Sequence, residues 1–305
     1  MRLPGSQLPR RPAPGMPRSR GGGMRWWIVI VFALYLGWQY LGNREEASFT
    51  GRKQLIDSSI EQDLALGLQS FNQVLSESRV VTTGELPRQV EDITRRLVDA
   101  GPLVEQHLAR ERGVPSRTPW DAFQWQVAVI DSPQANAFCL PGGKLAVYTG
   151  IIPVAQNVDA LAAIMGHEIA HAVLRHGAER MATQKLMQLG QMAAGMSVGD
   201  LDPGQQRMVM AALGAGAQYG MVLPFSRSHE SEADYVGLML AAGACFDPRA
   251  AIGLWERMGA ASSGARPPEF ASTHPGSATR IAQLQGWMPE ALKLRQDTGC
   301  PPLSN

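Results

Sequence analysis

The sequence is poor in cysteine: Cys139, Cys245 and Cys300 are all that 305 residues contain. Three thiols exclude a disulfide framework, while one Cys245–Cys300 bridge in an oxidising compartment and three free thiols both stay open. Net charge is equally scarce, at +1. Six arginines and no acid fall in the first 25 residues, so the remainder is net acidic and gives no reason to expect nucleic-acid binding. No internal repeat is visible. At 45% hydrophobic and 18% charged, the composition is that of an ordinary globular protein, with length for one large domain or two small ones.

Residues 1–25 read as a disordered, basic cytoplasmic tail, rich in Pro, Arg and Gly. Five prolines by position 17 break any amphipathic helix, which argues against a mitochondrial presequence. Charge-free runs are few. The clearest, Trp26 to Gly42, has 17 residues with Trp26 and Trp27 at one end and Trp38 and Tyr40 at the other, as aromatic belts do. That is the short end for a membrane span, and no small-x-small cleavage site follows, so the expectation is an uncleaved transmembrane anchor. With the basic flank N-terminal, the body crosses the membrane. In a bacterium that gives a single-pass inner-membrane protein with a periplasmic body; the alternative housing is the mitochondrial inner membrane. Residues 43–85 read as a linker or helical extension, with a helical stripe at positions 56, 60, 64, 68, 71 and 75. A second helix is expected from Pro87 to about Leu108, where His107 stands alone as a structural residue.

The chemistry gathers in Gly166-His167-Glu168-Ile169-Ala170-His171, within an apolar run from Val158 to Leu174 that marks a core helix. Residues four apart lie one turn apart on a helix, so His167 and His171 point the same way and can grip one metal ion. Glu168 between them is placed to act on a metal-bound water. A buried helix would not carry two histidines and a carboxylate without partners. The expected cofactor is one Zn2+. Asn157 is the expected N-cap and Gly177 the expected stop; His176 falls off the ligand face and is expected to be solvated.

A catalytic zinc needs a third protein ligand. Candidates stand in Ser226-Arg-Ser-His-Glu-Ser-Glu-Ala-Asp234. Glu230 and Asp234 share a helix face that Gly237 and Ala241 continue, so Glu230 as ligand with Asp234 orienting a zinc histidine is the coherent pair. His229 is a rival ligand, and helix spacing does not exclude Glu232. Further on, His274 and Arg280 flank a Pro/Gly loop and are of the kind that holds an oxyanion. His274, on such a loop, is also placed to occupy the open zinc position as a latch. Residues 181–223, rich in Met, Ala and Gly, read as two helices, either core or a mobile cover near the site, with a membrane-touching hairpin as the alternative.

Four landmarks in order carry a resemblance: Asn136-Ala-Phe…Leu140-Pro-Gly-Gly143, His167-Glu168-x-x-His171, Glu230-x-x-Ala-Asp234 and His274-Pro…Arg280. The chain resembles the gluzincin metallopeptidases that include prenyl-protein endopeptidases, HtpX-type membrane proteases, periplasmic BepA-like and LoiP-like proteases and mitochondrial Oma-type relatives, over roughly residues 50–290. A single anchor is nearest to the periplasmic branch. The resemblance implies zinc on His167, His171 and Glu230, Glu168 as general base, and His274 and Arg280 at the site. It also implies that the strand of Asn136, Ala137, Phe138, Cys139 and Leu140 lies along the cleft and pairs with substrate backbone. Cys139 departs from the usual alanine. The fold expected is α+β, predominantly helical, a zincin core with a small β-sheet: a metallopeptidase domain at 86–295 and a C-terminal tail at 296–305. The function expected is a membrane-anchored zinc metalloendopeptidase acting on unfolded or misassembled envelope proteins; the alternative is a zinc-stabilised chaperone or assembly factor with little proteolytic activity.

Overall fold

The computed structural model describes residues 26–199, 201–217, 223–262, 269–274 and 278–303. The expected disordered tail and the Pro-Gly of the His274 loop lie outside them. Helix α1 (Trp26–Gly42) leads into an antiparallel hairpin of β1 (Arg44–Glu46) and β2 (Lys53–Leu55). Helix α2 (Ile60–Ser76) follows, then β3 (Val80–Val81) and the long α3 (Glu85–Arg112). Strands β4 (Gln126–Ile130), β5 (Ala137–Leu140) and β6 (Lys144–Tyr148) complete a four-stranded sheet in the order β3-β4-β6-β5. β4 and β6 run parallel, and β5 is antiparallel to β6 at an edge. The rest is helical: α4 (Ile152–Ala155), α5 (Val158–Val173), α6 (His176–Ser197), α7 (Pro203–Ala217), α8 (Leu223–Gly243), α9 (Ala250–Ser262), α10 (Glu269–Thr273) and α11 (Ala278–Asp297). The protein is thus a predominantly helical α+β fold, as the sequence leads one to expect.

Strand alternation decides which helices cover which face of the sheet. Val129, Ala137, Leu145 and Val147 join the main core with α3, α5 and α8. Ala128, Ile130 and Ala146 point the other way, onto Phe71 of α2. Residues 43–85 are therefore no mere linker. Phe71 is fully buried, and Val80–Val81 pair with Ile130 and Val129. The end of the chain is tied down too: Cys300 is disulfide-bonded to Cys245, and Arg295 donates to the carbonyls of Phe246 and Pro301.

Two helix boundaries differ from expectation for local reasons. The helix expected from Leu55 begins at Ile60, because Lys53–Leu55 is spent on the hairpin and Ser59 with Gln62 forms a capping box. The zinc helix, capped by Asn157 as expected, stops at Val173 rather than at Gly177. Arg175 turns the chain at a φ of 56°, and its guanidinium is held by Asp63 at 2.9 Å and the Ser58 carbonyl at 2.8 Å. Gly177 lies inside α6.

The segment expected as an anchor forms α1, but among the described residues no helix is long and apolar enough to cross a membrane. Its 17 residues rise about 26 Å, short of the about 30 Å of a bilayer's hydrocarbon. One side of α1 packs on α6, beside a 340 Å³ pocket lined by Val29, Phe32, Leu36, Ala193, Ala194 and Val209 of α7, among others. The other side leaves Trp27, Ile30, Leu34, Trp38 and Leu41 exposed.

Candidate metal centre

Helices α5 and α8 cross at two glycines. A Cβ built on Gly237 would stand 2.7 Å from the His167 amide nitrogen, and one on Gly166 would stand 3.0 Å from the Gly237 carbonyl oxygen. Only hydrogen fits there, so the backbones meet and the acidic end of α8 is brought against the histidines of α5. The result is a group of four metal-capable donors, His167, His171, Glu230 and His274, all within 4.8 Å of one another.

The spacings are those of a tetrahedral ion. His167 Nε2 lies 3.1 Å from His171 Nε2 and 3.2 Å from His274 Nδ1. The Glu230 carboxylate stands 3.5 Å from His167, 3.6 Å from His171 and 2.9 Å from His274. Zinc–ligand bonds of about 2.0–2.1 Å at the tetrahedral angle space their ligands by about 3.3–3.4 Å. His167 Nδ1 is 3.0 Å from Asp234 Oδ1 and so carries the ring proton; its Nε2 aims a lone pair at other ring nitrogens. A cation or a proton must stand between them. The donor set fits zinc.

Electrostatics agree with that chemistry. Burial disfavours a charged His167, yet its hydrogen bonds with Asp234 and Glu230 hold its pKa up at about 9. Burial and the neighbouring histidines push His171 far down. Burial would raise Glu230, but hydrogen bonds with His167 and His274 hold it well below the usual carboxylate range. A cation takes the place of those protons without disturbing the carboxylates. Glu168 behaves oppositely: burial raises its pKa. The Cys139 amide donates to it, and His274 Nε2 is 3.4 Å from its Oε1, which has no hydrogen-bond partner among the described residues.

The other candidates fall as follows. Arg280, named with His274 for the oxyanion, is buried; its Nε and Nη2 grip Asp234 at 2.6 Å each, and its Nη1 reaches Glu230 at 3.1 Å. Its cation also lies over Trp255 at 3.6 Å. That geometry holds Glu230 and Asp234 in place. Strand β5 lies at the sheet edge; Phe138 and Leu140 turn toward α2, and Ala137 and Cys139 toward α5. Asn136 spends its side chain on the Ala137 amide and its carbonyl on Tyr148. His229 and Glu232, the rival ligands, are buried away from the cluster and bind Glu179 and His176 at 2.9 Å each.

His176 corrects the sequence reading. It is 1% exposed rather than solvated, and its Nδ1 stands 2.8 Å from His171 Nδ1. The angular argument assumed one continuous helix; the turn at Arg175 removes that premise. Arg52 and Glu179, which join Glu232 around it, carry no local signal in the sequence.

An HExxH helix crossed by a second helix that supplies a carboxylate donor, beside a small sheet with an open edge strand, is the construction of a zinc-dependent peptidase. The chain belongs to Peptidase family M48, whose description matches residues 103–288. It is 33% identical over 278 residues to the mitochondrial metalloendopeptidase OMA1 of Schizosaccharomyces pombe, covering 90% of this chain and 75% of that protein. With the human mitochondrial metalloendopeptidase OMA1 it shares 39% over 191 residues, 60% of this chain and 36% of that one. With the β-barrel assembly-enhancing protease of Escherichia coli it shares 27% over 235 residues, 74% of this chain and 44% of that one. The protein is a metalloendopeptidase. The mitochondrial relatives match at higher identity than the bacterial one, so the expected placement nearest the periplasmic branch is not what the comparison favours.

Proposed function

We propose that the protein is a membrane-associated zinc endopeptidase that cleaves extended stretches of unfolded or misassembled polypeptide. The observation that carries this is the open edge of β5 beside Glu168, joined by the Cys139 amide. A strand edge pairs with main chain and so accepts any extended segment, with Asn136 to Leu140 as the binding strand. His167, His171 and Glu230 would hold zinc, and Asp234 would orient His167. Zinc, when bound, supplies a Lewis acid that lowers the pKa of water toward about 7. Glu168, made a stronger base by burial, takes in its ionised form the proton from the attacking water at Oε1 and returns it to the leaving amine. His274 is the group within reach of the developing oxyanion; Arg280 acts one step back, fixing the two acidic side chains of α8.

His274 supports a second reading. Its Nδ1 stands among the metal donors, where water or a substrate carbonyl would have to be. A latent enzyme, opened when His274 swings out, follows from that position. Raised basal cleavage in His274→Ala would support the latch; lowered cleavage would favour the oxyanion role.

Membrane association rests on the exposed apolar side of α1, extended by Met192 and Met196 of α6 and Met208 of α7, all exposed. The Cys245–Cys300 bond supports an oxidising compartment. A bacterial inner membrane with the body in the periplasm satisfies both, and so does a mitochondrial inner membrane. The name of the β-barrel assembly-enhancing protease supports a quality-control role. The test is full-length protein in detergent, wild type against Glu168→Gln, measuring zinc per chain and casein cleavage. One zinc in both and cleavage only in wild type is expected. Zinc in neither, or cleavage by both, would sink the reading.

A further inference from the structure

The two zinc histidines are oriented by different kinds of partner. His167 leans on a carboxylate, Asp234, itself locked by Arg280. His171 leans on another imidazole. Its Nε2 faces the metal donors, so its ring proton sits on Nδ1, and His176 Nδ1 at 2.8 Å must accept. His176 then carries its own proton on Nε2 and gives it to Glu232 Oε2 at 2.9 Å.

That tautomer is itself fixed from further out. Glu232 is held by Thr50 and by Arg52 Nε at 2.7 Å. Arg52 reaches on with Nη1 and Nη2 to Glu179, at 2.8 and 2.6 Å. Glu179 also accepts from His229, whose ring stacks on that of His176 at 4.1 Å and 7°. His176, Glu179, His229 and Glu232 are all buried. Thr50 and Arg52 come from the loop between β1 and β2, which follows directly on α1.

We propose that His176 is a positioning residue for zinc ligand His171, and that Glu232 and Arg52, by fixing the His176 tautomer, make the β1–β2 hairpin a working part of the metal site. The inference rests on the zinc assignment above and adds to it. Burying two glutamates beside a half-buried arginine costs desolvation that apolar residues of equal volume would avoid. What the charged set supplies is direction: a lone pair on His176 aimed at one hydrogen. The hairpin's position relative to the core thereby sets how well His171 is presented.

The test uses full-length protein in detergent, with zinc affinity read by competition against a chromophoric chelator. In His176→Asn the side-chain oxygen stands where Nδ1 stands, so the acceptor for His171 is kept and the donor to Glu232 is lost. His176→Gln does the reverse, its amide nitrogen standing where Nε2 stands. Zinc affinity is expected to fall about 10- to 100-fold in His176→Ala and His176→Gln, and to stay within about threefold of wild type in His176→Asn. Arg52→Ala is expected to fall with them, and Arg52→Lys to recover part of the loss. A packing role alone predicts that Gln rescues at least as well as Asn, and that result overturns the proposal, as does wild-type affinity in all variants. A measurement on wild type needs no variant to fold. Long-range 1H–15N spectra of the zinc-loaded protein should give His176 protonated at Nε2 and His171 at Nδ1; His176 protonated at Nδ1 overturns it. Wild type that binds no zinc would remove the parent assignment instead, a distinguishable outcome.

Discussion

Two helix assemblies in this protein are built on opposite principles. Where α5 meets α8, glycine faces glycine, no space is left for a methyl group, and the acidic side chains brought in are paired. Where α1 packs on α6, a 340 Å³ pocket that Val209 of α7 helps to line is left beside the contact, and large apolar side chains remain exposed. The first brings four donor atoms within 4.8 Å of one another. The second leaves a large apolar surface in the open, the surface proposed above to meet a membrane. Close packing and catalytic precision belong to one half of the molecule, adaptability to the other.

The largest test of that division is chemical. Glu168→Gln is expected to lower casein cleavage about 10²- to 10⁴-fold and leave zinc content unchanged, since Glu168 is no donor in the cluster. Next comes the covalent tie at the end of α8. Replacing Cys245 and Cys300 by serine opens a closure spanning 55 residues and is expected to lower unfolding free energy by up to about 4 kcal/mol, read by denaturant titration. Gly237→Ala should cost about 1–3 kcal/mol and weaken zinc binding too, because its methyl group would displace His167. A stable Gly237→Ala protein with normal zinc affinity would break the claim that backbone contact sets the site.

Smaller effects follow. Burial would raise Glu179, but hydrogen bonds from Arg52 and His229 hold it below its ordinary 4.5. A carboxylate depressed in the folded state stabilises above its unfolded pKa and loses that contribution as pH falls through its folded value. Wild type should therefore lose stability more steeply than Glu179→Gln below about pH 4.5, in thermal midpoints measured across pH. The smallest change in stability belongs to α1. Leu34→Ser, at an exposed position, should shift unfolding by no more than about 0.5 kcal/mol, yet weaken flotation with anionic vesicles. Unchanged flotation would leave the adaptable half without its proposed environment.

How much was legible in the sequence follows from the range of the forces involved. His167 with His171 and Glu230 with Asp234 are one-turn pairs, so local periodicity put each on a shared face. Gly237 and Ala241 were a sign of close approach, and the strand around Phe138 showed as a run into Gly142-Gly143. His176 was misread because one positive-φ residue, Arg175, ends the helix whose geometry was being extended. That turn depends on Asp63 and Ser58, more than a hundred residues upstream, and no window contains both. The ring of Arg52, Glu179, His229 and Glu232 was hidden for the same reason: Arg52 and Glu179 alone resemble ordinary surface charges, His229 and Glu232 were weighed as zinc ligands, and only the fold makes the four neighbours. The length of α1 was plain; what it rests on was not.

If substrates pair with the edge of β5, as proposed above, a kinetic consequence follows. A strand edge recognises backbone, and a folded client keeps its backbone hydrogen bonds to itself. Cleavage then waits on a fluctuation that frees one extended stretch, so a client's lifetime is governed by its own opening free energy, with sequence a secondary influence. Two clients with the same scissile sequence but a local stability difference of 1.4 kcal/mol would differ about tenfold in survival. On this reading the protease keeps no catalogue of targets; it measures how often each neighbour comes apart.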